Sequence, residues 1–329
     1  MTPAVLLEGT RAPPGPAPVT PAREATPCVA CGADDPRPLL QSQVQMLDDR
    51  TESFAWVTCG ECDQVYLNPR VPAARIGEYY EDYLPHRGSA AWGRWAFLVD
   101  FDQWRLDRAR LRTVRRSGPL TSTSSLLDVG CGRPTFLARV HHRTGARAIG
   151  VDFDASGWAV RSGQWKGLSL HEGELAVVAP LAPFDVITMW HALEHLYDPG
   201  AALRRLRTMA SPSTRLIIEV PDYDSLTRRR HGSHWAGFHT PRHTAAYTPA
   251  SLRRLVERNG WRVQEQYAHG TLHPHTIHWL GRHDIEGRSW RGSLQRRMLP
   301  FMMERFLTLP VTLLQRWLPL GVQTLIATA

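Results

Sequence analysis

Short unbroken apolar runs alternate along this chain with stretches whose apolar positions recur every three or four residues, a rhythm that predicts buried strands joined by helices. The run Ser125-Leu126-Leu127-Asp128-Val129 reads as a buried parallel strand and opens into Gly130-Cys131-Gly132. Glycines at such a turn can take left-handed backbone angles and let a ligand approach closely. A helix predicted over 135–144 presents its N-terminus to the same place. A second strand over 147–152 ends in Asp152, an acid suited to ribose hydroxyls, so a cofactor is expected between the two acids Asp128 and Asp152. Farther on, Thr248 caps a helix with Pro249 at its first position, and Asn259-Gly260 ends it before a strand from Trp261. A helix with apolar and basic faces is predicted over 92–116. The stretch 294–318 is amphipathic and rich in Leu, Phe and Met. It fits packing against a sheet, with a lid over an apolar substrate or contact with a membrane surface as alternatives.

Composition narrows the class. With 329 residues, 43% of them apolar, the chain can hold one full α/β domain and a smaller module. The first 25 residues are proline-rich, read as a disordered tail, and lack the basic-then-apolar order of a signal peptide. No apolar stretch reaches the roughly 20 residues of a membrane helix, so a cytoplasmic location is expected. The formal charge of +8 is carried almost wholly by arginine, with Lys166 the one lysine. That charge is dispersed and no interleaved basic and aromatic strand motif occurs, which argues against nucleic acid as the partner.

Four of the five cysteines form two pairs, Cys28-x-x-Cys31 and Cys59-x-x-Cys62, separated by 27 residues. Four soft thiolates on two knuckle turns complete a closed tetrahedron around zinc, so a structural metal is predicted rather than a redox pair. Ser53 to Thr58 alternates as a strand should, which makes 26–70 a zinc ribbon of two small hairpins. The segment 71–118 then reads as a helical linker and cap, and 119–329 as the catalytic domain, with an amphipathic helical insertion over 273–320. Cys131 is read as a small packing residue. The histidines 273, 275, 278 and 283 show no ligand pattern and are taken as facing solvent or substrate.

Leu-Asp-Val-Gly-Cys-Gly followed by Gly-Val-Asp resembles motifs I and II of the class I S-adenosylmethionine-dependent methyltransferases. The resemblance implies a seven-stranded Rossmann-like α/β sheet. It places a third strand ending at Gly173-Glu174, a fourth over 184–190 and a fifth over 215–221. The last strand, 322–329, would insert antiparallel beside the sixth. Asp128, Gly130, Gly132, Asp152, Glu174 and Trp190 would then hold S-adenosylmethionine. Pro134 stands where the family usually has a third glycine; near a first helical turn its missing N–H costs little, so the loop reads as a variant one.

After the fourth strand comes Trp190-His191-Ala192-Leu193-Glu194-His195-Leu196-Tyr197-Asp198-Pro199, which resembles the Leu-Glu-His…Asp-Pro stretch of many small-molecule methyltransferases. In zinc-bearing enzymes that methylate carbon on nucleotide-linked sugars, the histidine here is the proposed base. That resemblance implies His195 as general base with Glu194 as helper. His191 would share a face with His195 if a helix began here, and a metal held by the pair is the alternative. Tyr80 and Tyr83 resemble active-site tyrosines of those enzymes, and equally fit packing between module and domain. His239 and His243, in the link after the fifth strand, are substrate-side candidates. The expected activity is methyl transfer to carbon or oxygen of a small molecule, such as an intermediate of antibiotic biosynthesis. An RNA methyltransferase that grips nucleic acid with its ribbon and a non-catalytic zinc-stabilised module are the alternatives.

Overall fold

The computed structural model describes residues 23–48, 51–80, 88–290 and 294–329. Two sheets organise them. The smaller contains β1 (Pro36–Gln43), β2 (Ser53–Cys59) and β3 (Val65–Leu67), paired antiparallel in that order. The two expected hairpins therefore share β2, and the Cys59–Cys62 knuckle is the turn between β2 and β3. A fourth strand arrives from far along the chain.

The larger sheet has seven strands. Its centre is β4 (Ser125–Val129), flanked by β5 (Arg147–Asp152) and then β6 (Ser169–Glu172) on one side. On the other side lie β7 (Phe184–Trp190) and β8 (Ala210–Pro221), all parallel. The short strand from the link is β9 (Ala245–Ala246), which pairs with β3 and closes the small sheet. The large sheet is completed by β10 (Arg262–Tyr267) and β11 (Val322–Thr328). As expected, β11 inserts antiparallel, between β10 and β8. Strand order reverses between β4 and β7, and the crevice at their carboxyl ends is where open α/β sheets bind ligands.

The helices follow local signals. Behind the glycine turn, α1 (Ala96–Arg116) packs on α2 (Thr135–Thr144), whose buried Phe136, Leu137 and Val140 cover the sheet. The helix expected over 92–116 is interrupted: Gly93 sits at φ 53° and ψ −128°, so Ser89–Trp95 is a separate irregular turn. Asp198 caps α3 (Pro199–Thr208) by accepting from Ala201 N–H at 2.7 Å. The predicted Thr248 cap forms a capping box with Ser251 at the start of α5, after α4 (Leu226–His231) in the link; α5 spans Pro249–Arg258. The third strand ends at Glu172, two residues earlier than expected, and the fifth begins at Ala210, five earlier.

The carboxyl-terminal segment departs most from expectation. It forms α6 (Pro274–Ile285), α7 (Met298–Leu307) and α8 (Leu309–Leu313). Packing against the sheet fails for most of 294–318: Phe306, Leu307, Leu313 and Trp317 are exposed, at 73%, 74%, 67% and 75%. Two of the four histidines expected to face solvent or substrate do not face solvent. His275 and His283 are buried, His275 Nδ1 lies 3.1 Å from the Thr308 hydroxyl, and His278 Nδ1 lies 2.9 Å from His231 Nε2. Here α6 joins a core with β2, β3, Trp235, Phe238 and Trp290, so the small sheet, the link and the carboxyl-terminal helices share one apolar cluster.

Candidate active site

The glycine turn leaves β4 at Gly130, φ 71°, and passes Gly132 at φ 47°. Gly130 has no room for a side chain, because a Cβ would come 2.8 Å from that of Ala192. A Cβ on Gly132 would meet nothing within 4 Å, so the turn borders open space. Gly130 N–H donates to Val151 O at 2.8 Å and Gly132 N–H to Asp152 Oδ2 at 2.8 Å, which ties the turn to the end of β5. Asp128 is buried under the turn and accepts from Thr188 Oγ1 at 2.6 Å; burial pushes its carboxyl up to about 7, against the pull of Thr188 and Arg110. Pro134 is the N-cap of α2, and its carbonyl accepts from Ala138 N–H at 3.0 Å. Its missing N–H is one a helix leaves unpaired anyway.

These features suit S-adenosylmethionine: glycines beside open space, an acid at each strand end, and Trp190, whose buried Nε1 has no hydrogen-bond partner among the described residues. Glu174 lies two residues past β6 and is exposed beside the third strand. Cys131 is buried, and burial pushes its thiol far up, which leaves it an inert packing group.

His191 and His195 do not share a helical face. His191 has φ 55° and stands before the short turn Leu193–His195. Its Nδ1 lies 3.3 Å from Glu194 Oε1 and its Nε2 3.2 Å from Glu219 Oε1. Burial alone would lower its pKa, but the bonds and charges of the two glutamates outweigh that and hold it at about 9. Glu219, fully buried, also accepts from Thr271 N–H at 2.7 Å and Thr271 Oγ1 at 2.9 Å. Burial pushes the Glu219 carboxyl up, and the His191 contact overcomes this and lowers it. His191 is thus a cation at neutral pH.

His195 differs. Its Nδ1 lies 3.2 Å from Arg242 O, which can only accept, so Nδ1 carries the hydrogen and the lone pair is on Nε2. The Tyr80 hydroxyl is 3.0 Å from the same Nδ1 and fits as a second acceptor. Burial lowers the pKa of His195, more than the Glu194 charge raises it, so the ring is neutral. His243 stacks edge-on to it with ring centres 4.4 Å apart, and His239 Nδ1 lies 3.3 Å from His243 Nε2. Burial drives both of those rings well below the usual histidine range. The structure thus gathers His195, Glu194, His191, Tyr80, His239 and His243 in one cluster of contacts, while Tyr83 lies outside the described residues.

The loop that carries these rings is clamped from the amino-terminal side. The buried Arg242 guanidinium donates to Tyr79 O at 2.8 Å and to Gln45 O, and Trp56 Nε1–H donates to Thr240 Oγ1 at 3.0 Å. Thr244 N–H donates to Glu194 O at 2.8 Å. Sequence reasoning missed Arg242, Glu219 and Thr188. Glu219 had a signal, a lone acid inside Leu216-Ile217-Ile218-Glu219-Val220; Arg242 had none, because its partners are carbonyls of remote segments.

At the cysteine cluster, Cys28 Sγ lies 3.6 Å from Cys62 Sγ, and Cys31 Sγ 3.6 Å from Cys59 Sγ. A tetrahedral ion with bonds of about 2.3 Å has sulfur edges of roughly 3.8 Å, so the four thiols fit zinc.

A family described as a methyltransferase domain matches residues 101–266, half of the chain. The chain belongs to this methyltransferase-domain family. Among curated relatives, an uncharacterised 37.1 kDa protein of transposon TN4556 from Streptomyces fradiae is 31% identical over 109 residues, 31% of this chain and 32% of that protein. A ubiquinone biosynthesis O-methyltransferase of Aeromonas salmonicida is 28% identical over 152 residues, 43% of this chain and 63% of that enzyme. The matches thus span less than two thirds of these relatives. Among solved structures, the cyclopropane synthase MmaA2 of Mycobacterium tuberculosis aligns with 16% identity and a TM-score of 0.47, covering 67% of this chain and 83% of that one. Among the described residues no helix is long and apolar enough to cross a membrane.

Proposed function

We propose that this enzyme transfers a methyl group to an oxygen or carbon of a small molecule, a specialised-metabolite intermediate, with His195 as general base. S-adenosylmethionine supplies an activated methyl group, and the chain's own residues must align the acceptor and take up its proton. The observation that carries the reading is the 3.2 Å contact of His195 Nδ1 with Arg242 O: a hydrogen directed at that carbonyl leaves the ring's lone pair on Nε2, just past the end of β7. Glu194, 1% exposed, is the helper: its negative charge stabilises the imidazolium formed when His195 takes the proton. His191 has no basic lone pair at neutral pH and serves as a fixed cation between Glu194 and Glu219. Tyr80 positions His195 and borders the acceptor, with His239 and His243 forming the opposite wall. Gly130, Gly132, Asp152 and Asp128 hold the cofactor, with Trp190 beside it and Glu174 at the adenine end. Cys28, Cys31, Cys59 and Cys62 hold a structural zinc.

An O-methyltransferase among the relatives supports oxygen as acceptor. The test is His195→Ala, assayed by transfer of labelled methyl into small-molecule extracts. The variant should bind cofactor as the parent does and lose roughly 10²- to 10⁴-fold in turnover, the usual worth of a general base. Undiminished turnover removes His195 from the mechanism.

A further inference from the structure

One ring nitrogen from each of His195, His239 and His243 falls in a group whose members all lie within 4.8 Å of one another. The 3.3 Å between His239 Nδ1 and His243 Nε2 is long for a hydrogen bond between rings. It equals the ligand edge of a tetrahedral ion with nitrogen bonds of 2.0–2.1 Å, roughly 3.3–3.4 Å. Two of the rings already have the outer support that metal-bound imidazoles use. His243 donates Nδ1–H to Gly237 O at 2.9 Å and His195 donates Nδ1–H to Arg242 O at 3.2 Å, which fixes both orientations and leaves each opposite nitrogen with its lone pair.

The scaffold is stiff. His239 and His243 stand on one turn, with Arg242 N–H donating to His239 O at 2.9 Å, and the Arg242 and Trp56 bonds fasten that turn to the small sheet. A carboxylate stands next to the rings. Glu194 Oε1 is 4.0 Å from His243 Nε2, and the buried Glu194 Oε2 has no hydrogen-bond partner among the described residues. Its negative charge favours a cation at the rings.

We propose that His195, His239 and His243 bind a divalent transition-metal ion, zinc or one of its imidazole-preferring neighbours, at a second site distinct from the cysteine cluster. Neutral imidazoles are borderline ligands, so zinc, cobalt or nickel suits this set and magnesium or calcium does not. The inference rests on the reading of this cluster as the acceptor site and adds a state to it. His195 has a single lone pair, so ligation and proton acceptance exclude each other, and the loaded chain cannot use His195 as its base.

The test is equilibrium dialysis of the full chain against Zn²⁺ followed by elemental analysis. The parent should hold two equivalents, and His239→Gln and His243→Gln should each hold one. The retained equivalent, in the cysteine cluster, reports that the variants are folded. Should either variant fail to fold, Co²⁺ added to the parent carrying a single equivalent of zinc, in the cysteine cluster, gives the same information: a tetrahedral ligand-field spectrum without the sulfur-to-cobalt charge-transfer band supports the site, and no such spectrum overturns it. A parent that saturates at one equivalent, or a second equivalent that survives both substitutions, overturns the proposal. The base reading fails separately. Two equivalents in the parent with full turnover of His195→Ala would sink the base and keep the ion, whereas one equivalent in the parent with an inactive His195→Ala would do the opposite.

Discussion

Replacing Glu219 by glutamine should destabilise the protein and remove a distinct pH dependence. Glu219 is fully buried at the end of β8, and both its oxygens are acceptors: His191 Nε2, Thr271 N–H and Thr271 Oγ1 all stand within 3.2 Å. A glutamine keeps the shape but turns an NH₂ toward at least one of these donors, and it leaves His191 with Glu194 alone. The displacement of His191 from 6.5 to about 9 corresponds to about 3 kcal/mol at 1.36 kcal/mol per pH unit. Glu194 supplies part of this and stays in place, and the His191 side chain is 22% exposed, so solvent screens a further part; we expect a loss of about 1–2 kcal/mol, below what breaking a buried pair costs. The direction with pH follows from linkage. A histidine whose pKa is raised on folding contributes its full stability below about 6.5, and that contribution is lost as pH rises through about 9. Urea denaturation of the parent between pH 6 and 9.5 should therefore show stability falling over this window, while Glu219→Gln starts lower and falls less. A variant within about 0.5 kcal/mol of the parent, or one with the parent's slope, would refute the account of His191 as a buried cation.

Asp152→Ala removes the acceptor for Gly132 N–H, and with it the form of the turn and the acid offered to ribose; calorimetry should show S-adenosylmethionine bound roughly tenfold or more weakly, about 1.4 kcal/mol, and an unchanged Kd would place the cofactor elsewhere. Cys59→Ser, at a fully buried thiol, should cost one equivalent of zinc and lower the melting temperature, since structural zinc contributes directly to folding; undiminished zinc content would show that the cluster is not the metal site.

Much of the large sheet was legible because its strands are buried on both faces and so read as continuous apolar runs, while Gly130, Gly132, Thr248 and Pro249 mark the turns and caps by residue type alone. The reach of the link was not legible. Ala245–Ala246 is too short and too plain to declare itself a strand, yet it pairs with β3 and completes the small sheet from far along the chain. Likewise the meeting of His195 with His239 and His243 depends on Arg242 gripping carbonyls of Tyr79 and Gln45, contacts without any local signature. The spacing of His191 and His195 suggested one helical face; a left-handed backbone at His191 turned it instead toward Glu219. Amphipathicity over 294–318 was visible, but which face would be covered was not, since the apolar positions of α7 and α8 outnumber those the core accepts.

The most direct test of the account is calorimetric titration of the zinc-loaded protein with S-adenosylmethionine and, separately, S-adenosylhomocysteine. The turn from Gly130 to Pro134, bordered by Asp128 and Asp152, predicts one molecule of either bound per chain at micromolar Kd. Binding of neither would contradict the assignment of this turn as the cofactor site.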